Sequence, residues 1–282
     1  MLAKQVTGRV AHLALGPVWS EALGGLQWLD LLAGDVLSLR PDGSVARRNV
    51  SAGSAAALRP RTRGGAVLAV ERGFALEAVD GTVTQLPELW DSAHGLRMSH
   101  GTCDPDGRFW AGSTAVDGSA GVGALWRLDA DLQAEQVLGG LTSSNGLEWG
   151  PDGTLAYLAD TASERIDVFD YDPALGLVER RPFVALPDLR PSGLTVDEGG
   201  GVWVAMDGSS AVHRYDASGS LDMVVEIPSH KATCCTFGGP NRDILYITTS
   251  SEGMASADQS LAGALFSAEV GCIGVPTRAF AG

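Results

Sequence analysis

One phrase recurs along this chain, and its repetition limits the available folds more than any other feature. It is clearest in the stretch RMSHGTCDPDGRFWAGST, from Arg97 to Thr114: a polar entry, a short segment, a turn and a second apolar strand. Pro presets φ and Gly tolerates positive φ, so Asp104-Pro105-Asp106-Gly107 reads as the turn of a hairpin. The phrase returns from Asn145 to Asp160 and from Ser192 to Ala205, and the entry residues Ser99, Asn145 and Ser192 stand 46 and 47 residues apart. Weaker copies begin near Leu15, around Gly64-Gly65 and near Thr236. A third strand is predicted after each hairpin, at 35–40, 74–78, 123–128, 165–169, 211–215 and 262–266. A more polar fourth strand, as at 221–227, leads to the next copy.

Six copies of about 42 to 47 residues, each of four strands, predict an all-β fold: a six-bladed β-propeller that uses residues 1–282 as a single domain. The last copy lacks a fourth strand before Gly282, while the segment 6–13 is spare. That N-terminal segment is expected to complete the last blade and close the ring, which removes free sheet edges. In such a ring the innermost strand of each blade follows the central channel. The residue just before it is expected at one mouth, so Leu15, Ser99, Asn145 and Ser192 should converge. Converging polar groups in a concavity are the default small-molecule site.

The formal net charge of −14 argues against nucleic acid and anionic membranes as partners. No apolar run approaches the roughly 20 residues of a membrane helix. The start, MLAKQVTGRVAHLALG, lacks the continuous apolar core and cleavage site of a secretory signal, so a cytoplasmic location is expected. The four cysteines, Cys103, Cys234, Cys235 and Cys272, form no C-x-x-C pair. Buried free thiols are the expectation, with a zinc-thiolate site or a nucleophilic cysteine as alternatives.

The segments GPVW, RMSHGTCDPDGRFWAGST, SSNGLEWGPDGTLAYLADT, IDVFDYD, PSGLTVDEGGGVWVA, TCCTFGGPNRDILYITTS and the tail AGALF…GCIGVPTRAFAG cover nearly the whole chain. Together they resemble the senescence marker protein (regucalcin), gluconolactonase and luciferin-regenerating enzyme family. The resemblance implies a six-bladed propeller, hydrolysis of a sugar-acid lactone, and a divalent metal in the channel held by a Glu, an Asn and an Asp. This chain departs from that pattern. Leu15 stands where the family has Glu, Arg97-Met98-Ser99-His100-Gly101 where it has Arg-x-Asn-Asp-Gly, and Ser192 where it has Asp. Only Asn145 of the ligand set is retained. Calcium, magnesium and zinc ask for charged or strongly donating ligands, so no cofactor is expected. A relocated calcium, zinc or iron site using His100 and Asp117 stays open.

Among the candidate catalytic residues, His100 is the expected proton acceptor. Its ordinary pKa near 6.5 predicts activity that rises through a pH of about 6 to 7. Ser99 and Ser192 are the candidate nucleophiles; Ser99 adjoins His100 and should diverge from it, whereas Ser192 could face it across the channel. Arg97, Asn145, Asp117 and Leu15 are the candidate substrate-binding residues. The expected function is an enzyme acting on a small cyclic ester or carbonyl compound, a lactone hydrolase by resemblance. Two alternatives stay open: a metal-independent enzyme resembling strictosidine synthase, and a non-catalytic small-ligand-binding propeller.

Overall fold

Six antiparallel four-stranded sheets radiate from a central channel in the computed structural model, which describes residues 1–254 and 260–282. The inner strands are Ala14–Ser20, Ala55–Pro60, Leu96–Cys103, Ser144–Trp149, Arg190–Val196 and Ala232–Gly238, in blades 1 to 6. Each packs against the inner strand of the next blade, and blade 6 packs against blade 1. The described residues outside the strands contribute only short 3-10 turns, and no helix is long and apolar enough to cross a membrane.

Ring closure uses the N-terminus, but not over the expected residues. The outer strand of blade 6 is Lys4–Gln5, paired antiparallel with Leu265–Glu269 in the register Lys4↔Ser267 and Gln5↔Phe266. The segment 6–13 does not continue this ladder. The amides of Val6 and Thr7 converge on the Leu265 carbonyl, and those of Val10 and Ala11 on the Gly263 carbonyl. Two donors on one acceptor cannot keep a strand register. The third strand of blade 6 also begins at Leu265 rather than at residue 262, because Gly263 adopts a φ of +84° in the preceding turn.

The turn acids Asp104 and Asp197 are structural. Asp104 accepts hydrogen bonds from Arg108 N (2.8 Å), Arg108 Nε (2.6 Å) and the indole nitrogen of Trp110 (2.8 Å). In blade 5, Asp197 accepts from Gly201 N (2.9 Å), Trp203 Nε1 (2.8 Å) and Arg214 Nε (2.7 Å). Trp110, Trp149 and Trp203 are fully buried, and Trp28 nearly so. All four cysteines are free thiols; burial pushes the Cys234 thiol up to about 12, out of reach of ionisation at neutral pH.

The C-terminal tail crosses the face of the ring remote from the polar entries. Gly274 N bonds to Arg242 O, Val275 N to Val196 O, Thr277 Oγ1 to Trp19 O and Arg278 Nη2 to Gly150 O. Phe280 N and Ala281 N then reach Pro60 O and Gly107 O. Every blade thus receives one bond from this tail, which covers that end of the channel.

Candidate functional site

The polar entry residues lie inside the inner strands, not before them. Each inner strand carries a register shift near its start: between Leu15 and Val18, Ala55 and Ala57, Met98 and His100, Ser144 and Gly146, Pro191 and Leu194, and Ala232 and Cys234. An unpaired bulge residue re-aims its side chain away from the pleat. The bulge positions include Ala56, Ser99, Asn145, Ser192 and Thr233. Leu15, Arg97, Ser99, His100, Asn145 and Ser192 all line one cavity of about 140 Å³. Asp117 does not line it; its exposed carboxylate accepts Ser119 N at 2.9 Å, which holds its pKa below the ordinary value.

The polar bulge side chains stitch one blade to the next. Ser99 Oγ donates to Ser144 O, from blade 3 to blade 4. Asn145 Nδ2 donates to Thr161 Oγ1 (2.7 Å), and Thr161 Oγ1 donates to Pro191 O (2.7 Å), reaching blade 5. Ser192 Oγ donates to Thr233 O (2.8 Å), and Thr233 Oγ1 to Ala14 O, which completes the run to blade 1. Leu15 and Ala56 have no polar side-chain atom, so the run stops there. The strands between these stitches approach closely. A Cβ on Gly146 would meet Ser192 O at 2.7 Å, and one on Gly193 would meet Cys234 Sγ at 2.3 Å, which explains the Asn-Gly and Ser-Gly pairs.

These bonds fix what each group can offer a ligand. Thr161 has one proton, and it goes to a carbonyl that can only accept. Thr161 must therefore accept from Asn145, which turns Nδ2 toward it and leaves Oδ1 as the acceptor of that side chain. Ser99 and Ser192 give their protons to main-chain carbonyls, not to His100. His100 is 5% exposed, and its Nε2 lies 3.1 Å from Leu147 O. That carbonyl requires a proton on Nε2, so Nδ1 carries the lone pair. Burial, helped by the charge of Arg59 and opposed by the Leu147 bond, lowers the His100 pKa to about 4. The sequence-based value near 6.5 is corrected accordingly: the imidazole is neutral at pH 7, and the expected limb at pH 6 to 7 does not belong to it.

Three further charged groups and one hydroxyl were not legible in the sequence. Lys231, Asp207 and Glu252 line the cavity, as does Thr233. Thr233 is the blade-6 counterpart of Ser192, missed because the last repeat is out of register by three residues when begun at Thr236. Asp207 ends its strand as Asp30 and Asp160 end theirs. Those two carboxylates accept backbone amides of residues 12–13 and 142–143. Asp207 instead pairs with Arg190 Nε at 3.2 Å and stays partly exposed. Lys231 Nζ donates to Glu252 O at 2.9 Å. Arg97 has a buried Nε without a partner, and among the described residues its guanidinium makes no hydrogen bond or ion pair.

The donors do not fit the divalent metal that the resemblance implies. Leu15 is apolar, and Asn145 and Ser192, whose proton goes to Thr233 O, each offer one neutral oxygen. None of these three positions carries a charge to offset the desolvation of a dication. Among the described residues, no three His, Cys, Asp or Glu side chains gather where they could hold an ion.

The family described as SMP-30/Gluconolactonase/LRE-like region matches residues 13–251. Pentonolactonase XacC of Haloferax volcanii is 32% identical over 286 residues, which covers 98% of this chain and 97% of that protein. A 6-deoxy-6-sulfogluconolactonase of Pseudomonas putida is 32% identical over 274 residues, 94% of each. Among solved structures, a calcium-binding regucalcin from Agrobacterium tumefaciens superimposes with a TM-score of 0.88 at 23% identity, covering 98% of this chain and 95% of that one.

Proposed function

The chain belongs to the SMP-30/gluconolactonase/LRE-like family, and from that premise we propose that it hydrolyses a small cyclic ester, a sugar-type lactone, in the bulge-lined cavity and without a divalent ion. The observation that carries this reading is Arg97, a cavity-lining guanidinium with no partner among the described residues. Its buried Nε has no acceptor in the protein, and its fork of donors suits acceptors on a ligand. A lactone supplies them in its carbonyl and hydroxyl oxygens. The carbonyl oxygen gains charge as water attacks, which is when a cation beside it matters most. Asn145 Oδ1 and the lone pairs of Ser99 and Ser192 serve as acceptors for ligand hydroxyls, and Leu15 packs against the ring.

His100 Nδ1 takes the proton from the attacking water. The ester C–O bond then breaks, and the same proton passes to the departing alkoxide. At a pKa of about 4 this imidazole is no more basic than a carboxylate. Asp207 and Glu252 are therefore its direct rivals for the role.

The test is acid release from a panel of pentono- and hexonolactones, including sulfonated ones, with and without a chelator. Turnover that ignores the chelator is expected. Arg97→Ala should raise KM by about 10–100-fold, the worth of a hydrogen bond to a charged group. Chelator-sensitive turnover refutes the metal-free reading. Saturable binding without turnover of any lactone, ester or aldehyde makes the protein a small-ligand-binding propeller.

A further inference from the structure

A second chamber lies at the other end of the channel, beneath the C-terminal tail. Its polar wall is made by Arg59, Thr102, Glu148, Thr195, Thr236 and Arg278. It offers the centre of a water-sized particle about 20 Å³, room for roughly one water or one small ion.

The charges in this chamber do not balance. Arg59 is only 7% exposed, and among the described residues its one hydrogen bond runs from Nη1 to Leu58 O at 2.8 Å. Among the described residues no carboxylate pairs with it. Arg278 spends Nη2 on Gly150 O at 3.0 Å, while its Nη1 is buried without a hydrogen-bond partner. The nearest carboxylate oxygen, Glu148 Oε1, is 3.6 Å from that Nη1, beyond hydrogen-bond distance. Glu148 is itself engaged, by Trp149 N at 3.0 Å and Thr102 Oγ1 at 3.2 Å. Two guanidinium groups thus face one carboxylate, and a buried charge without a counter-charge is costly. The Thr195 hydroxyl is a further donor with no side-chain bond among the described residues.

We propose that this chamber is an anion site that holds one small monoanion of halide size, chloride in ordinary solution, between Arg59 and Arg278. The single excess positive charge sets the valence, since a dianion would be repelled by Glu148. The space sets the size, since an oxyanion such as sulfate is too large. Water could fill the space but would leave the charge uncompensated.

Crystals grown in sodium bromide, measured at the bromine absorption edge, should show an anomalous peak between the two guanidinium groups. A chamber without that peak overturns the proposal. In solution, thermal unfolding is compared in chloride and in methanesulfonate at equal ionic strength. At a chloride concentration about tenfold above its dissociation constant, the midpoint should rise by about 3 °C. Arg59→Met should abolish the difference, and so should Arg278→Gln, which alters only a tail residue if the first variant fails to fold. A chloride response kept by either folded variant overturns the assignment. Neither readout depends on the reaction proposed above.

Discussion

Asn145 and Thr161 are locked together by a hydrogen bond of 2.7 Å whose direction is set by a third group, the Pro191 carbonyl. The Thr161 proton goes to Pro191, so Asn145 must donate. Its Oδ1 is left as its acceptor in the cavity wall. Thr161→Val removes the acceptor and frees the amide to rotate. Buried Thr161 also loses its bond to blade 5. A stability loss of about 1–3 kcal/mol is expected, with weaker ligand binding. Urea unfolding and ligand titration check both, and unchanged affinity in a folded variant would show that the Asn145 orientation does not matter.

His100 links stability to pH. The ordinary imidazole pKa is 6.5, and in the folded protein it is lowered to about 4 by burial and by Arg59. Between these values the unfolded chain holds a proton that the folded chain does not. Stability therefore rises with pH across this window and is lost as pH falls through it, by about 3 kcal/mol in full. His100→Gln should flatten urea midpoints measured from about pH 4 to 6.5; an identical slope in the variant contradicts the buried neutral imidazole.

The rate should show the same displacement. If His100 Nδ1 is the base, turnover stays level across a pH of about 6 to 8 and falls only toward its pKa of about 4. His100→Ala should lower kcat by about 10²–10⁴-fold. Should Asp207→Asn cause that loss while His100→Ala does not, the base is the carboxylate.

Metal affinity is open to construction. The purified protein should carry no stoichiometric divalent ion by elemental analysis. Leu15→Glu together with Ser192→Asp would set two carboxylates beside Asn145 Oδ1 and should create a site. Either change alone should do much less, because a lone buried carboxylate is costly without its cation. Tight metal in the unaltered protein overturns the reading.

Asp197 anchors blade 5 through Trp203, Gly201 and Arg214. Those bonds hold its carboxyl below the ordinary pKa despite burial. Asp197→Ala leaves the buried Trp203 indole N–H without its acceptor and Arg214 with Asp222 as its one remaining carboxylate, and should cost about 2–3 kcal/mol. A loss under about 1 kcal/mol in urea unfolding would mean that the Asp–Trp–Arg unit is not a structural anchor.

Much of the fold was legible because its rule is local and repeated. A glycine-bearing turn between two apolar strands, at a nearly constant spacing, is written six times, and each copy supports the others. The strongest copies gave the hairpins of blades 3 to 5. The weak copy in blade 6 gave its third strand three residues early, because the positive φ of Gly263 leaves no periodic trace. Leu15, Ser99, Asn145 and Ser192 could be grouped because they share one phase of the repeat. Lys231 stands two residues before Thr233, as Arg97 stands two before Ser99, but starting the last repeat at Thr236 hides that phase, and Glu252 lies beyond the end of its strand.

The sequence by itself determined the number of blades and the closure of the ring through both termini, and it put Leu15 and Ser192 where the family resemblance implies carboxylates. These follow from residue identity at periodic positions, which neighbouring residues are enough to express. Only the tertiary structure decided what each polar group has left to give. Ser99 and Ser192 spend their protons on the next blade, Asn145 is oriented by Thr161, and His100 is made neutral by burial and by Arg59, which belongs to another blade. A hydrogen bond or a pKa depends on atoms a few ångströms away, and in a closed ring those atoms lie 16 to 47 positions distant in the chain.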